Sequence, residues 1–105
     1  MVSPAKDTTL LAKRLKTARE RINISQMELG VRAGIDEYSA SARINQYERG
    51  KHAPDFNTAK TLAKVLDIST AYLYCEDDAL AELIATFGQL TSSQKKAVLQ
   101  YVKSL

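Results

Sequence analysis

From Thr8 to Ile22 the apolar residues Leu11, Leu15, Ala18 and Ile22 recur at steps of four, three and four. That is the period of one helical face. Lys13, Arg14, Lys16, Arg19 and Arg21 occupy much of the remainder, giving this helix a basic outer side. Asp7 or Thr8 can cap its start. Asn23 suits its stop, because Asn tolerates positive φ. Met1 to Lys6, with Pro4 among them, reads as a frayed lead-in.

The pattern restarts at once. Ser25 followed three residues later by Glu28 predicts a capping box at the head of a short second helix. That helix reaches about Ala33, turns Leu29 and Ala33 inward, and has Gly30 to let another helix come close. Gly34 ends it and Ile35 returns to the core. Asp36 to Ser41 is small and polar, a turn or a helix start. A third helix follows from Ser39 or Ala40 to Arg49, with Ile44 and Tyr47 inward, and Gly50 stops it. After the loop Lys51-His52-Ala53-Pro54, Asp55 caps a fourth helix bearing Ala59, Leu62, Ala63 and Leu66. Ser69 caps a short fifth through Tyr74.

Two more amphipathic stretches complete the chain. Asp78 to Phe87 carries Leu80, Leu83, Ile84 and Phe87, behind an acidic lead-in that favours a helix N-terminus. Gly88 breaks it, and Thr91 with Gln94 predicts another capping box. The last helix shows Val98, Tyr101, Val102 and Leu105. The predicted architecture is all-α: a five-helix domain over residues 7–75 and an appended two-helix hairpin over 76–105.

Composition narrows the function classes. The 105 residues make about one domain, too small for a core plus a large catalytic cavity. Residues 1–64 hold twelve Lys/Arg against seven Asp/Glu, and residues 65–105 hold three against five. A basic first part suits a polyanion; a solvated, charge-mixed surface is the plainer reading. The single cysteine, Cys75, allows no intrachain disulfide. No apolar run is long enough for a membrane span, no signal-peptide layout opens the chain, and the expected location is the cytoplasm. One His and one Cys leave no usual metal set, and no Gly-rich phosphate loop appears. Neither a cofactor, a metal nor a small-molecule ligand is expected, no motif supports a Cys75–His52 dyad, and the chain does not read as an enzyme.

Two short helices joined by a tight Gly-containing turn form a helix-turn-helix, whose second helix enters the major groove of double-stranded DNA. Here Ile44 and Tyr47 supply the inner side of that helix, and Ser39, Ser41, Arg43 and Gln46 the outer. The ordered set Ile24-Ser25-Gln26-Met27-Glu28-Leu29-Gly30, Ala33-Gly34-Ile35, Ile44-Asn45-Gln46-Tyr47-Glu48-Arg49-Gly50-Lys51 and Pro54-Asp55 resembles the Cro/phage-repressor type helix-turn-helix (XRE-like) family. The likeness covers roughly Leu11 to Tyr74. It implies a phage-repressor-like five-helix domain in which Gln26 binds phosphate or buttresses the recognition helix. It also implies that Arg19 pairs with Glu48, and that Arg49 and Lys51 lie near the DNA backbone. Within the family, the small size, the segment Ser39-Ala40-Ser41-Ala42-Arg43 and the C-terminal hairpin resemble controller proteins of restriction–modification systems, which implies regulation of the chain's own promoter, by repression, activation or both. There is one departure. Thirteen residues, Ile35 to Tyr47, separate Gly34 from Glu48, more than the family's usual spacing. The excess, within Asp36 to Ala42, lengthens either the turn or the start of the recognition helix.

The candidate base contacts are Arg43, Gln46 and Ser41. Arg43 has the fork that matches guanine and Gln46 the amide that matches adenine; either is otherwise a phosphate clamp or an exposed helix residue. The candidate backbone contacts are Gln26, Ser25, Ser39, Arg49, Lys51 and His52, with capping the alternative for Ser39 and a plain surface loop for His52. Cys75 reads as a packed thiol. Leu80, Leu83, Ile84, Phe87, Val98, Tyr101, Val102 and Leu105 form an apolar stripe larger than one hairpin hides. Either the stripe folds back on its own domain or it makes a homodimer matched to a two-fold operator. The competing class is an antitoxin-like or adaptor module that keeps the fold and binds mainly protein.

Overall fold

The computed structural model describes the backbone of residues 4–105 and the side chains of residues 10–105. Seven helices follow one another within that range: α1 (Pro4–Arg21), α2 (Gln26–Arg32), α3 (Glu37–Glu48), α4 (Phe56–Val65), α5 (Thr70–Tyr74), α6 (Asp78–Gly88) and α7 (Ser92–Ser104). The fold is all-α.

Two starts come earlier than the pattern predicts. Helix α1 begins at Pro4, since a proline in the first turn loses no hydrogen bond it would otherwise have made. Asp7 and Thr8 therefore lie inside the helix rather than at its start, and of the frayed lead-in only Met1 to Ser3 falls outside the described residues. Helix α3 begins at Glu37, because Asp36 at the N-cap accepts the Tyr38 N–H at 3.1 Å. The extra residues after Gly34 are thus helical, and they extend α3 at its N-terminal end.

The helix ends are closed by local chemistry. Ile35 N–H reaches Gly30 C=O at 2.9 Å and Gly34 N–H reaches Val31 C=O at 3.0 Å, the paired bonds of a Schellman stop with Gly34 at φ 90°. The same pair closes α3 around Gly50, and closes α4 around Asp67 at φ 56°. Asn23 takes the left-handed position after α1, at φ 57°. Thr91 and Gln94 form a complete capping box on α7. The box predicted on α2 is only half made. Ser25 Oγ accepts the Glu28 N–H at 3.0 Å, but the Glu28 carboxylate turns to Arg32, one helical turn on.

One core runs through the first six helices. Leu11, Leu15 and Ala18 of α1 meet Leu29 of α2, Ile44 and Tyr47 of α3, Ala59, Leu62 and Ala63 of α4, and Tyr72 and Leu73 of α5. Ala81 and Ala85 of α6 join the same cluster. Ile22 does not: it lies past the end of α1 and is 40% exposed, because the left-handed turn at Asn23 ends the helical register one residue beyond it. Gly30 is where α2 and α3 touch most closely. A Cβ there would stand 2.7 Å from Ala40 Cβ and 3.0 Å from Ala40 Cα.

Arg14 departs furthest from the pattern. It is buried at 5% exposure, although its neighbours predict a solvated basic face. Its Nε and Nη2 donate to the Cys75 carbonyl at 3.1 and 2.8 Å, and Nη2 also reaches Asp78 Oδ1 at 2.9 Å. Its guanidinium lies over the ring of buried Tyr72, 5.7 Å from the centroid, and Arg21 lies over the same ring at 5.8 Å. Arg21 then pairs with Glu82 of α6 at 2.6 Å. Two arginines seven residues apart thus dock α6 onto α1.

Helix α7 buries none of its residues, so the end of the hairpin projects while α6 stays packed on the body. The radius of gyration is 15.0 Å, against about 13 Å for a compact chain of this length.

Two outcomes follow for stability. Gly30→Ala gains helix propensity but drives a methyl into the α3 backbone, so a net loss of about 1–3 kcal/mol is expected in urea denaturation. The hydrogen bond from Arg14, with Lys13 nearby, holds the Asp78 carboxyl below the usual carboxylate range. Its contribution is complete above the unfolded pKa of about 3.9 and disappears as pH falls through the lower folded value. The protection of α6 amides against hydrogen exchange, corrected for the intrinsic rate, should fall in that acid window, and Asp78→Asn should reduce its pH dependence.

Candidate nucleic-acid interface

Helices α2 and α3 form a pair joined by the four-residue turn Ala33 to Asp36. What holds α3 in place is a polar network at its C-terminal end. Arg19 Nε donates to Glu48 Oε2 at 2.6 Å and Arg19 Nη2 to Glu48 Oε1 at 3.0 Å. A third bond runs from Arg19 Nη1 to the Ile24 carbonyl at 2.9 Å. The Glu48 side chain is 3% exposed, so this bidentate pair is largely removed from water. The bond to Glu48 raises the Arg19 pKa, against the opposing effect of burial. Gln26, at the head of α2, completes the network: its Nε2 donates to Asn45 Oδ1 and to Glu48 Oε1, both at 3.1 Å. Both amide hydrogens of Gln26 are therefore engaged inside the protein, in the buttressing arrangement.

With Ala40, Ile44 and Tyr47 buried, the opposite side of α3 is fixed by helix geometry, at about 100° per residue. Tyr38, Ala42, Gln46 and Arg49 follow at steps of four, four and three, and form the stripe most directly opposite the core. Ser39 and Arg43 flank it on one side and Ser41 on the other. All seven residues are exposed. No buried side-chain polar atom among the described residues lacks a partner.

Among the other candidate contacts, Ser25 is exposed and caps α2. Arg49 is the C-cap of α3. Lys51 and His52 are exposed in the following loop, which is tied to α3 because both backbone N–H groups reach the Gln46 carbonyl, at 3.0 and 3.4 Å. Lys13, Arg14, Arg19, Arg21 and Arg32, all on α1 and α2, take part in ion pairs. Arg43, Arg49 and Lys51, like Lys16, Lys60 and Lys64 elsewhere, make none among the described residues, so their charge is available at the surface. A row of exposed Arg and amide side chains on one helix, flanked by a basic loop, is the donor set that base edges and phosphates accept from.

Sequence reasoning passed over two residues in this region. Asn45 receives a Gln26 hydrogen bond, and nothing in the spacing signals that. Tyr38 stands on the outer stripe; continuing the steps back from Gln46 through Ala42 would have found it, had the helix been started at Glu37.

Between α6 and α7 lies a groove of about 460 Å³ lined by Leu80, Leu83, Ile84, Phe87, Val98, Leu99 and Val102. Lys95 Nζ lies over the Phe87 ring, 5.9 Å from its centroid. Leu80, Leu83, Leu99 and Val102 are each about half exposed, and Tyr101 and Leu105 more so. Leu99 joins the stripe predicted from the sequence.

A helix-turn-helix family model matches residues 15–73, the span from mid-α1 to α5. The crystal structure of transcriptional regulator BswR is similar over 90% of this chain and 93% of that one, at 49% identity and a TM-score of 0.85. That coverage carries the likeness past α5 into the C-terminal helices. Among curated proteins nothing matches. No described helix is long and apolar enough to cross a membrane.

Removing one side of the Arg19–Glu48 pair should be costly, because it strands the other. Glu48→Ala is expected to lose about 3–5 kcal/mol. The double variant Arg19→Met/Glu48→Leu should lose much less than the sum of its parts, a coupling that a double-mutant cycle in urea measures.

Proposed function

The chain belongs to the helix-turn-helix family of DNA-binding transcriptional regulators, and from that premise we propose that it binds a two-fold operator as a homodimer, with residues 7–75 reading DNA and residues 76–105 joining the subunits. The observation that carries the reading is the contrast across α3: its inner face is locked by Arg19, Glu48 and Gln26, while its outer face is free and basic. Arg43, Gln46 and Ser41 read base edges. Ser25, Ser39, Arg49, Lys51 and His52 approach phosphates, and Gln26 acts by holding α3 in register.

Dimerisation is supported by the α6–α7 face. A row of half-exposed leucines and valines along a groove is unusual on a monomer surface and marks an interaction site. A second copy supplies the same row, as an isologous two-fold contact requires. Two recognition helices related by that axis would meet half-sites about 34 Å apart, or a multiple of this. The resemblance to restriction–modification controllers adds autoregulation to the proposal, with the site upstream of the chain's own gene.

Fluorescence anisotropy tests this with a duplex from that upstream region against a scrambled duplex at one salt concentration. A preference of about a thousandfold is expected. Arg43→Ala and Gln46→Ala should each cost about 1–3 kcal/mol of discrimination. Leu83→Asp/Val102→Asp should yield monomers in sedimentation and lose operator affinity while keeping the helical circular dichroism of the domain. The exposed α6–α7 face also fits an adaptor or antitoxin-like partner. That reading replaces this one if Arg43→Ala and Gln46→Ala leave regulation intact.

A further inference from the structure

Tyr38 is 96% exposed, and its side chain makes no hydrogen bond, ion pair or aromatic contact among the described residues. No other large apolar residue among those described is as exposed; the remaining exposed aromatics are Tyr101 on the α6–α7 face and Phe56 and Tyr74, which stack on each other. Its place is set by the lengthened start of α3. Asp36 caps the helix through the Tyr38 N–H, so the first turn is rigid and the ring has a fixed base. Ala42 follows one turn later and Gln46 one turn after that, on the same stripe. Ala42 carries only a methyl, which leaves room for the helix to approach base edges.

The acids beside it select the contact. Asp36 and Glu37 directly precede Tyr38 and make no ion pair among the described residues, so a phosphate against the ring is disfavoured, whereas Ser39 points about 100° further round the helix. Base edges are neutral, and the apolar feature they offer in the major groove is the thymine C5-methyl. We propose that Tyr38 is a specificity-determining residue whose ring packs on a thymine methyl at the outer edge of each half-site. This rests on the reading of α3 as the DNA-binding helix.

The test compares wild type, Tyr38→Phe and Tyr38→Ala on the operator, and on operators in which single thymines are replaced by deoxyuridine, which lacks only the methyl. Wild type and Tyr38→Phe should both lose about tenfold at one symmetric pair of thymines. Tyr38→Ala should bind the natural operator about tenfold more weakly, be indifferent to that replacement, and keep the salt dependence of wild type. Thermal unfolding should be unchanged, since the side chain supports nothing in the fold. A Tyr38→Phe loss equal to that of Tyr38→Ala would assign the contact to the hydroxyl and overturn the proposal. So would Tyr38→Ala binding like wild type while Arg43→Ala does not, although the DNA reading would then stand. A wild-type chain that shows no preference for any operator sinks that reading and this inference together.

Discussion

Three helices meet at one carboxylate. Glu48, at the last turn of α3, accepts two hydrogen bonds from Arg19 of α1 and one from Gln26 of α2. Its side chain is nearly closed to solvent. A carboxylate removed from water needs its charge and lone pairs satisfied at once, and the observed placement of the three helices does so. The recognition helix therefore has little freedom to roll or slide. Replacing such a pair by well-packed apolar residues is often no worse for stability. Its value here is geometric: it sets which residues of α3 face outward, and the function depends on that.

The same logic explains the arginines. Read along the chain, the basic residues of α1 look like a solvated face, or a surface for a polyanion. In the fold, Arg14 and Arg21 turn to the α5–α6 junction, where a backbone carbonyl, two carboxylates and the Tyr72 ring receive them. They orient α6, and through α6 the projecting hairpin. If the hairpin joins two copies, these contacts also set the distance between recognition helices. Charge that seems available for DNA is thus used to shape the molecule, and the cations left at the surface near α3 are Arg43, Arg49 and Lys51.

Close approach is the other constraint. Gly30 and Ala40 let the α2 and α3 backbones come together, and the Schellman stop at Gly34 turns the chain between them. Lengthening α3 at its N-terminus is compatible with this crossing, since Ala40 still meets Gly30. An insertion that would disrupt a loop is absorbed as one more helical turn, and its outward product is Tyr38.

Much was legible in the sequence because it depends on local chemistry. The caps at Ser25, Asp55, Ser69 and Thr91, the stops at Asn23, Gly34 and Gly50, and the inward faces of α2 to α4 are each written within a few residues. The bonds that satisfy a helix end reach no further than that. The ordered motif from Ile24 to Asp55 likewise carried the family, and with it the partnership of Arg19 and Glu48. The burial of Arg14, the exposure of Ile22, the part of Asn45 as a partner of Gln26 and the stance of Tyr38 were not legible. Each depends on groups separated along the chain, or on which residue begins a helix. A guanidinium faces inward only where a distant carbonyl and carboxylate wait for it, and periodicity cannot announce such a partner. The sequence by itself determined the elements, their order and the kind of molecule; tertiary structure alone decided which charges are consumed in packing and which are left to meet a partner, because desolvation is a property of the assembled surface.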